Sequence, residues 1–156
     1  MCQTAPGNST RSDIEASTGS SLEVPLRILM AEDNLINQRV GKLILQRAGF
    51  TIDLAADGLE TLEAHKKHAY DLILMDCQMP IMDGFEASRE IRRLSLPQPT
   101  IIAVTANALL GERERCLNAG MDDYLSKPFQ ADQLIAIVVK WVAIRQAAKK
   151  GEGATA

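Results

Sequence analysis

Surplus positive charge is what this chain most conspicuously lacks: 17 Lys and Arg face 20 Asp and Glu, for a formal net charge of -3. A nucleic-acid surface needs a clustered basic face or stripe, so no contact with nucleic acid is expected. Long apolar runs are missing too. None approaches the roughly 18 residues that cross a bilayer, and the start of the chain lacks the basic and apolar regions of a secretory signal. We therefore expect a cytoplasmic segment without membrane contact. Cysteine is scarce and odd in number, at Cys2, Cys77 and Cys116, with neither zinc-ligand nor CxxC spacing. Reduced thiols are the expectation rather than a disulfide frame. Cys77 lies beside Asp76 and invites reading as a nucleophile, but His65 and His68 fall on a polar helical stretch, not where a base would stand.

Residues 1–24 contain almost no large apolar side chains and are rich in Ser, Thr, Gly, Asn and Ala. Burial cannot offset their ordering entropy, so they read as a disordered tail or linker. The remainder is different. With 46% hydrophobic content in 156 residues, the chain can build one domain around one core.

From Leu26 the pattern is regular. Apolar strands are expected at 26–31, 51–56, 72–75, 100–104 and 124–126, and helices at 34–48, 59–68, 85–94, 110–119 and 131–148. A short polar tail, 149–156, follows. Alternating strands and helices argue an α/β fold, a parallel sheet with helices on both faces. The segments at 26–31, 72–75 and 100–104 are the most apolar and belong inside the sheet, with the other two at its edges. The doubly wound order 2-1-3-4-5, a flavodoxin-like (βα)5 three-layer sandwich, satisfies this. Its switch point falls between the first and third strands.

That order brings Glu32 and Asp33, just past the first strand, beside Asp76 at the end of the third. Three carboxylates in one crevice repel one another unless a cation is present, and a hard divalent ion with oxygen ligands answers the need. Thr105 ends the fourth strand and Lys127 follows the fifth, adding a hydroxyl and a cation. Together these make a kit for handling a phosphoryl group. Each residue also has a plainer reading: Asp33 or Asn34 as a helix cap, Asp76 in a turn, Thr105 at a strand end, Lys127 as a solvated charge. Five such residues ending successive strands of one sheet favour the functional reading.

The wording of these segments, AEDNLINQ at 31–38, MDCQMPIMDGFEA at 75–87, VTANA at 104–108 and AGMDDYLSKPF at 119–129, resembles the CheY-like response-regulator receiver domains of two-component signalling. The resemblance covers 25–148 and is strongest to receivers of hybrid sensor histidine kinases. It implies that Asp76 accepts a phosphoryl group from a phosphohistidine of a histidine kinase or histidine phosphotransfer domain. It also implies magnesium, with manganese as a substitute, held by Glu32, Asp33, Asp76 and the backbone carbonyl of Gln78. Thr105 and Tyr124 match the switch pair and Lys127 the phosphoryl-pairing lysine, ahead of a Lys127-Pro128 bond that is cis in the family. Gln78 and Asn107 match positions that tune dephosphorylation. The chain would then be self-phosphorylating rather than a conventional enzyme, a monomer or weak dimer, and either a stand-alone receiver or part of a hybrid kinase attached to the inner face of the cell membrane.

Other classes fit less well. A haloacid-dehalogenase-type phosphatase wants a second Asp where Gln78 stands, and a flavin-binding flavodoxin would meet repulsion from Glu32 and Asp33. A phosphorylation-inactive pseudo-receiver would not need the full set of acids with Thr105 and Lys127. Periodicity places Ile36, Val40, Leu43 and Ile44 on the inner face of the first helix, leaving Gln38, Gly41 and Leu45 as a strip for a partner helix bundle. In the last helix Leu134, Ile137, Val138 and Trp141 should face the core, with Val139 and Ile144 widening the apolar arc. The 110–119 helix, covered by Glu112 to Arg115, should be the easiest to shift.

Overall fold

Ile28–Ala31 forms β1, four consecutive buried residues as expected of a strand covered on both faces. The computed structural model describes residues 26–106 and 110–155. Along them β1 is followed by α1 (Leu35–Arg47), β2 (Ile52–Ala55), α2 (Gly58–His68), β3 (Leu72–Asp76), α3 (Gly84–Arg92), β4 (Thr100–Thr105), α4 (Leu110–Asn118), β5 (Asp123–Ser126) and α5 (Ala131–Thr155). The strands form one parallel sheet in the order β2-β1-β3-β4-β5. β3 and β4 are buried throughout and β5 is only half-buried, so apolar content did sort interior strands from edges.

Alternate residues of the strands feed two cores. Leu29, Ile73, Met75 and Ile101 pack with Leu62 of α2, Phe85 and Ile91 of α3 and Cys116 of α4. Ile28, Leu72, Leu74 and Ile102 pack on the other face with Leu45 of α1 and Leu134 and Val138 of α5. Ile137 and Trp141 join this second core from its margin, while Val139 and Ile144 are exposed, as the pattern of α5 suggested. The helix itself runs to Thr155, beyond the expected end at 148. Nothing after 148 forbids it, since the two glycines there lower helix propensity by only about 1 kcal/mol each and no proline intervenes.

The first helix turns the other way from the expectation. Gln38, Gly41 and Leu45 are its buried residues, and Leu35, Ile36, Val40 and Leu43 are exposed, Ile36 by 71%. Ile44 alone of the expected inner set packs against the core, from its margin. Two contacts set this rotation. Gly41, with no side chain, lies against the Met30 thioether, and the Gln38 amide donates to the Glu32 carbonyl at 2.6 Å, which satisfies it without water. Gln38, Gly41 and Leu45 therefore cannot be a partner strip.

His65, on a helix whose sequence is polar around it, is fully buried in α2, its Nδ1 accepting from the Tyr70 amide at 3.0 Å. At the opposite edge of the sheet from the acids, Arg92 ends α3 as a clamp. Its guanidinium donates to the Gly120 carbonyl (2.8 Å), the Pro99 carbonyl (2.7 Å) and Asp122 (2.9 Å). Gly120 has φ +98, and a Cβ there would fall 2.8 Å from the Arg92 Cγ, so glycine is required twice over.

Candidate functional site

The register of the sheet gathers the site. Ala31 of β1 pairs with Met75, Asp76 with Val104, and Thr105 with Ser126, so the strands end together at one edge. Asp76 is the last residue of β3 and is buried. Its Oδ1 accepts from the Gln78 amide at 3.1 Å and its Oδ2 from Lys127 Nζ at 3.2 Å. Glu32, also buried, takes the same ammonium at 3.0 Å on Oε1, while its Oε2 accepts from the Asn34 amide (3.1 Å) and Asn37 Nδ2 (3.3 Å). Asp33 is exposed at the rim.

One carboxylate oxygen from each of Glu32, Asp33 and Asp76 lies within 4.8 Å of the others. Burial pushes the Asp76 carboxyl up and Glu32 repels its charge, which together outweigh the Gln78 amide and Lys127. Burial acts on Glu32 in the same sense, but there the Lys127 and Asn34 contacts prevail and hold it below the usual range. Lys127, despite its own desolvation, is held above its ordinary value by Glu32 and Asp76. The crevice is thus short of positive charge by design of its donor set: hard oxygens from three carboxylates, one of them open to solvent, suit a divalent cation of the magnesium type.

Thr105 is buried at the end of β4, and its hydroxyl donates to Glu112 of α4 at 3.2 Å. The Lys127 amide donates to the Thr105 carbonyl at 2.7 Å, and the Lys127-Pro128 peptide is cis. Tyr124, half-buried on β5 beside Ala103, packs against the first core. Glu32, Asp33, Asp76 and Lys127 are therefore brought together, Thr105 stands at the neighbouring strand end, and Asn107 lies outside the described residues. Asn34 caps α1, its side chain accepting from the Asn37 amide, and so acts as a helix cap.

Sequence reasoning missed Asn37 and Glu112. Asn37 sits one turn from the cap and reaches back to Glu32; Glu112 was hidden in a charged run that otherwise faces solvent. A cavity of about 540 Å³ opens beside the crevice, lined by Met30, Glu32, Asn37, Val40, Ala106, Lys127, Pro128 and Phe129. It is continuous with the exposed apolar side of α1 through Val40.

A five-stranded parallel sheet in this order, with an acid crevice at its switch point, defines a doubly wound, flavodoxin-like α/β fold. The response regulator receiver domain model matches residues 28–139, and the chain belongs to that family. It is 40% identical over 126 residues to the hybrid signal transduction histidine kinase B of Dictyostelium discoideum, covering 73% of this chain and 6% of that protein. Among solved structures it is similar to the receiver domain of the sensor histidine kinase PA1611 from Pseudomonas aeruginosa, which carries a magnesium ion in its active site cleft. That match has a TM-score of 0.71 and 45% identity, over 77% of this chain and 99% of the other. It is also similar to the receiver domain of Ssk1 of Saccharomyces cerevisiae, solved with the histidine phosphotransfer protein Ypd1, at a TM-score of 0.72 and 29% identity over 79% and 94% of the two chains. The chain spans only a small part of the curated kinases it matches.

Proposed function

We propose that this receiver domain accepts a phosphoryl group from a phosphohistidine onto Asp76. The observation that carries the reading is the convergence of Asp76, Glu32 and Asp33 with Lys127, whose ammonium lies 3.0 and 3.2 Å from two of the three acids. An Asp76 oxygen attacks phosphorus, the P–N bond breaks, and its electron pair returns to the imidazole nitrogen. The product is an acyl phosphate. Glu32, Asp33, Asp76 and the Gln78 carbonyl would hold magnesium, or manganese in its place, and the bound ion would neutralise phosphoryl oxygens during transfer.

Lys127 exchanges its Asp76 partner for a phosphoryl oxygen, and the Thr105 hydroxyl leaves Glu112 for another. Tyr124 then follows Thr105, and the surface over 110–126 changes its partners by selection of that conformation. Gln78, exposed beside the acyl phosphate, and Asn107 set the attack of water and so the lifetime. The domain comprises 25–148, with 1–24 a tail or linker, and acts in a phosphorelay in the cytoplasm without nucleic-acid contact, as a monomer or weak dimer.

The docking face for a histidine kinase or phosphotransfer bundle is the exposed side of α1, Leu35, Ile36, Val40 and Leu43, which replaces the strip excluded above. Its continuity with the crevice supports this, because a bundle seated there holds its phosphohistidine over Asp76. The test is incubation with magnesium and acetyl phosphate or phosphoramidate followed by intact mass. One phosphate adduct is expected, absent from Asp76→Asn; an adduct that survives that substitution, or none in either protein, overturns the reading.

A further inference from the structure

Cys77 was set aside above as a nucleophile, yet it has company. It follows Asp76 at the end of β3, and across from it on α4 stand Glu112 and Cys116, four residues apart and so on one side of the helix. One ligand atom from each of the three residues, the two sulfurs and a Glu112 oxygen, lies within 4.8 Å of the others. Both cysteines are free, each only 1% exposed, while the Glu112 side chain keeps 10% of its surface. We propose that Cys77, Glu112 and Cys116 form a second cation site, for a thiophilic divalent ion of the zinc class, distinct from the acid crevice beside it.

The donor set argues for that class. Two thiolates and one carboxylate are ligands that zinc accepts in tetrahedral sites, whereas magnesium avoids sulfur. With Zn–S near 2.3 Å, tetrahedral sulfurs lie about 3.8 Å apart, so the side chains need shift by no more than about 1 Å. A cavity of about 540 Å³, lined among others by Cys77, Gln78, Glu112 and Arg115, reaches two of the three ligands and gives both an entry path and room for a water in the fourth position. Arg115 stacks its guanidinium over the Phe85 ring at 4.1 Å and makes a long ion pair with Glu112 at 3.9 Å, a contact that a bound ion would replace. Oxidation is the weaker alternative use of the pair. Burial pushes both thiols up, which makes them poor nucleophiles toward an oxidant, while a bound cation removes the proton itself.

Such an ion ties the end of β3 to α4 and engages the carboxylate that receives the Thr105 hydroxyl. Its effect on signalling, an α4 held in place so that phosphorylation changes the surface less, rests on the phosphoacceptor reading. The site itself does not, and binding is measured without phosphorylation. Cadmium serves as the probe because its thiolate complexes absorb in the ultraviolet. In the full chain carrying Cys2→Ser, under reducing conditions with millimolar magnesium present, cadmium should add sulfur-to-metal absorbance that saturates at one ion per chain and is displaced by zinc. Cys116→Ala should abolish it, and Glu112→Gln should weaken binding more than about tenfold, the least expected of a direct ligand. The pair Asp33→Asn and Asp76→Asn should leave it unchanged. Absence of the band, its persistence in Cys116→Ala, an unweakened Glu112→Gln, or its loss in the acidic-crevice pair would each overturn the site. Melting curves without metal confirm that each variant is folded, and Glu112→Gln, on a partly exposed side chain, carries the test if Cys116→Ala is not.

Discussion

Gly41 lies so close to Met30 that a Cβ at the glycine would fall 2.3 Å from the methionine methyl carbon. The gap lets α1 settle onto β1 with Gln38 and Leu45 inward. Gly41→Val fills it, and because Met30 is itself buried the thioether must be driven from its place. Overpacking of this kind costs about 1–3 kcal/mol. Urea unfolding should show a midpoint lowered with the slope unchanged; a variant as stable as the parent would mean that Met30 swings into the neighbouring cavity at no cost.

The rotation of α1 separates two leucines two residues apart. Leu43 is 48% exposed and Leu45 fully buried. Leu43→Glu should leave stability within about 0.5 kcal/mol of the parent, as exposed substitutions do. It should slow phosphoryl transfer from a phosphotransfer protein while leaving modification by acetyl phosphate unchanged. Leu45→Arg should instead destabilise the fold by more than about 4 kcal/mol, since a charge would enter the core unpaired. Equal effects of Leu43→Glu on both donors would remove α1 as the docking face.

Lys127 serves two acids at once. Replacing it by Met keeps the stem and deletes the charge. The rate of acyl phosphate formation from phosphoramidate should fall on the order of 100-fold, the usual consequence of losing a preorganised electrostatic partner. Magnesium binding should not weaken, because the ammonium competes with the ion for the same carboxylates. A titration by calorimetry distinguishes the two effects.

The Trp141 indole donates to Asp123 at 2.8 Å, and Lys140 adds a contact at 3.2 Å. Burial alone would raise this carboxyl, but the indole, the Tyr124 amide and Lys140 outweigh it and hold it below the ordinary range. A carboxylate with a folded-state pKa below its unfolded value, about 3.9, adds stability that is complete above that value and is lost as pH falls through the folded one. Trp141→Phe removes the strongest of these donors. Its stability should therefore fall less steeply than the parent's below about pH 4, read by circular dichroism against urea at each pH.

How much of this was legible beforehand differs by element. Strand order followed from composition, since a strand covered on both faces is apolar at every position, as Leu72 to Met75 is. The crevice followed from the order, because topology alone brings Glu32 to Asp76. The direction of α1 did not follow. Apolar residues lie on both sides of that helix, so periodicity could not choose between them, and the decision rests on a glycine's missing side chain and on a buried amide bond from Gln38 to the Glu32 carbonyl. His65 escaped for a similar reason: its polar neighbours Lys66 and Lys67 are exposed, while its own ring reaches inward to the Tyr70 amide. Single polar side chains that find a backbone partner leave no periodic trace.

The Arg92 clamp bears on motion at the other end of the sheet. It grips the turn at Gly120 and Asp122, where α4 has just ended, whereas the helix begins near the acid crevice, with Glu112 bonded to Thr105. α4 is nine residues, about 13 Å, long. If Thr105 releases Glu112 as proposed, the start of α4 is freed while the Arg92 contacts still hold the turn after its end, so any rotation about the arginine would carry Leu110 farthest.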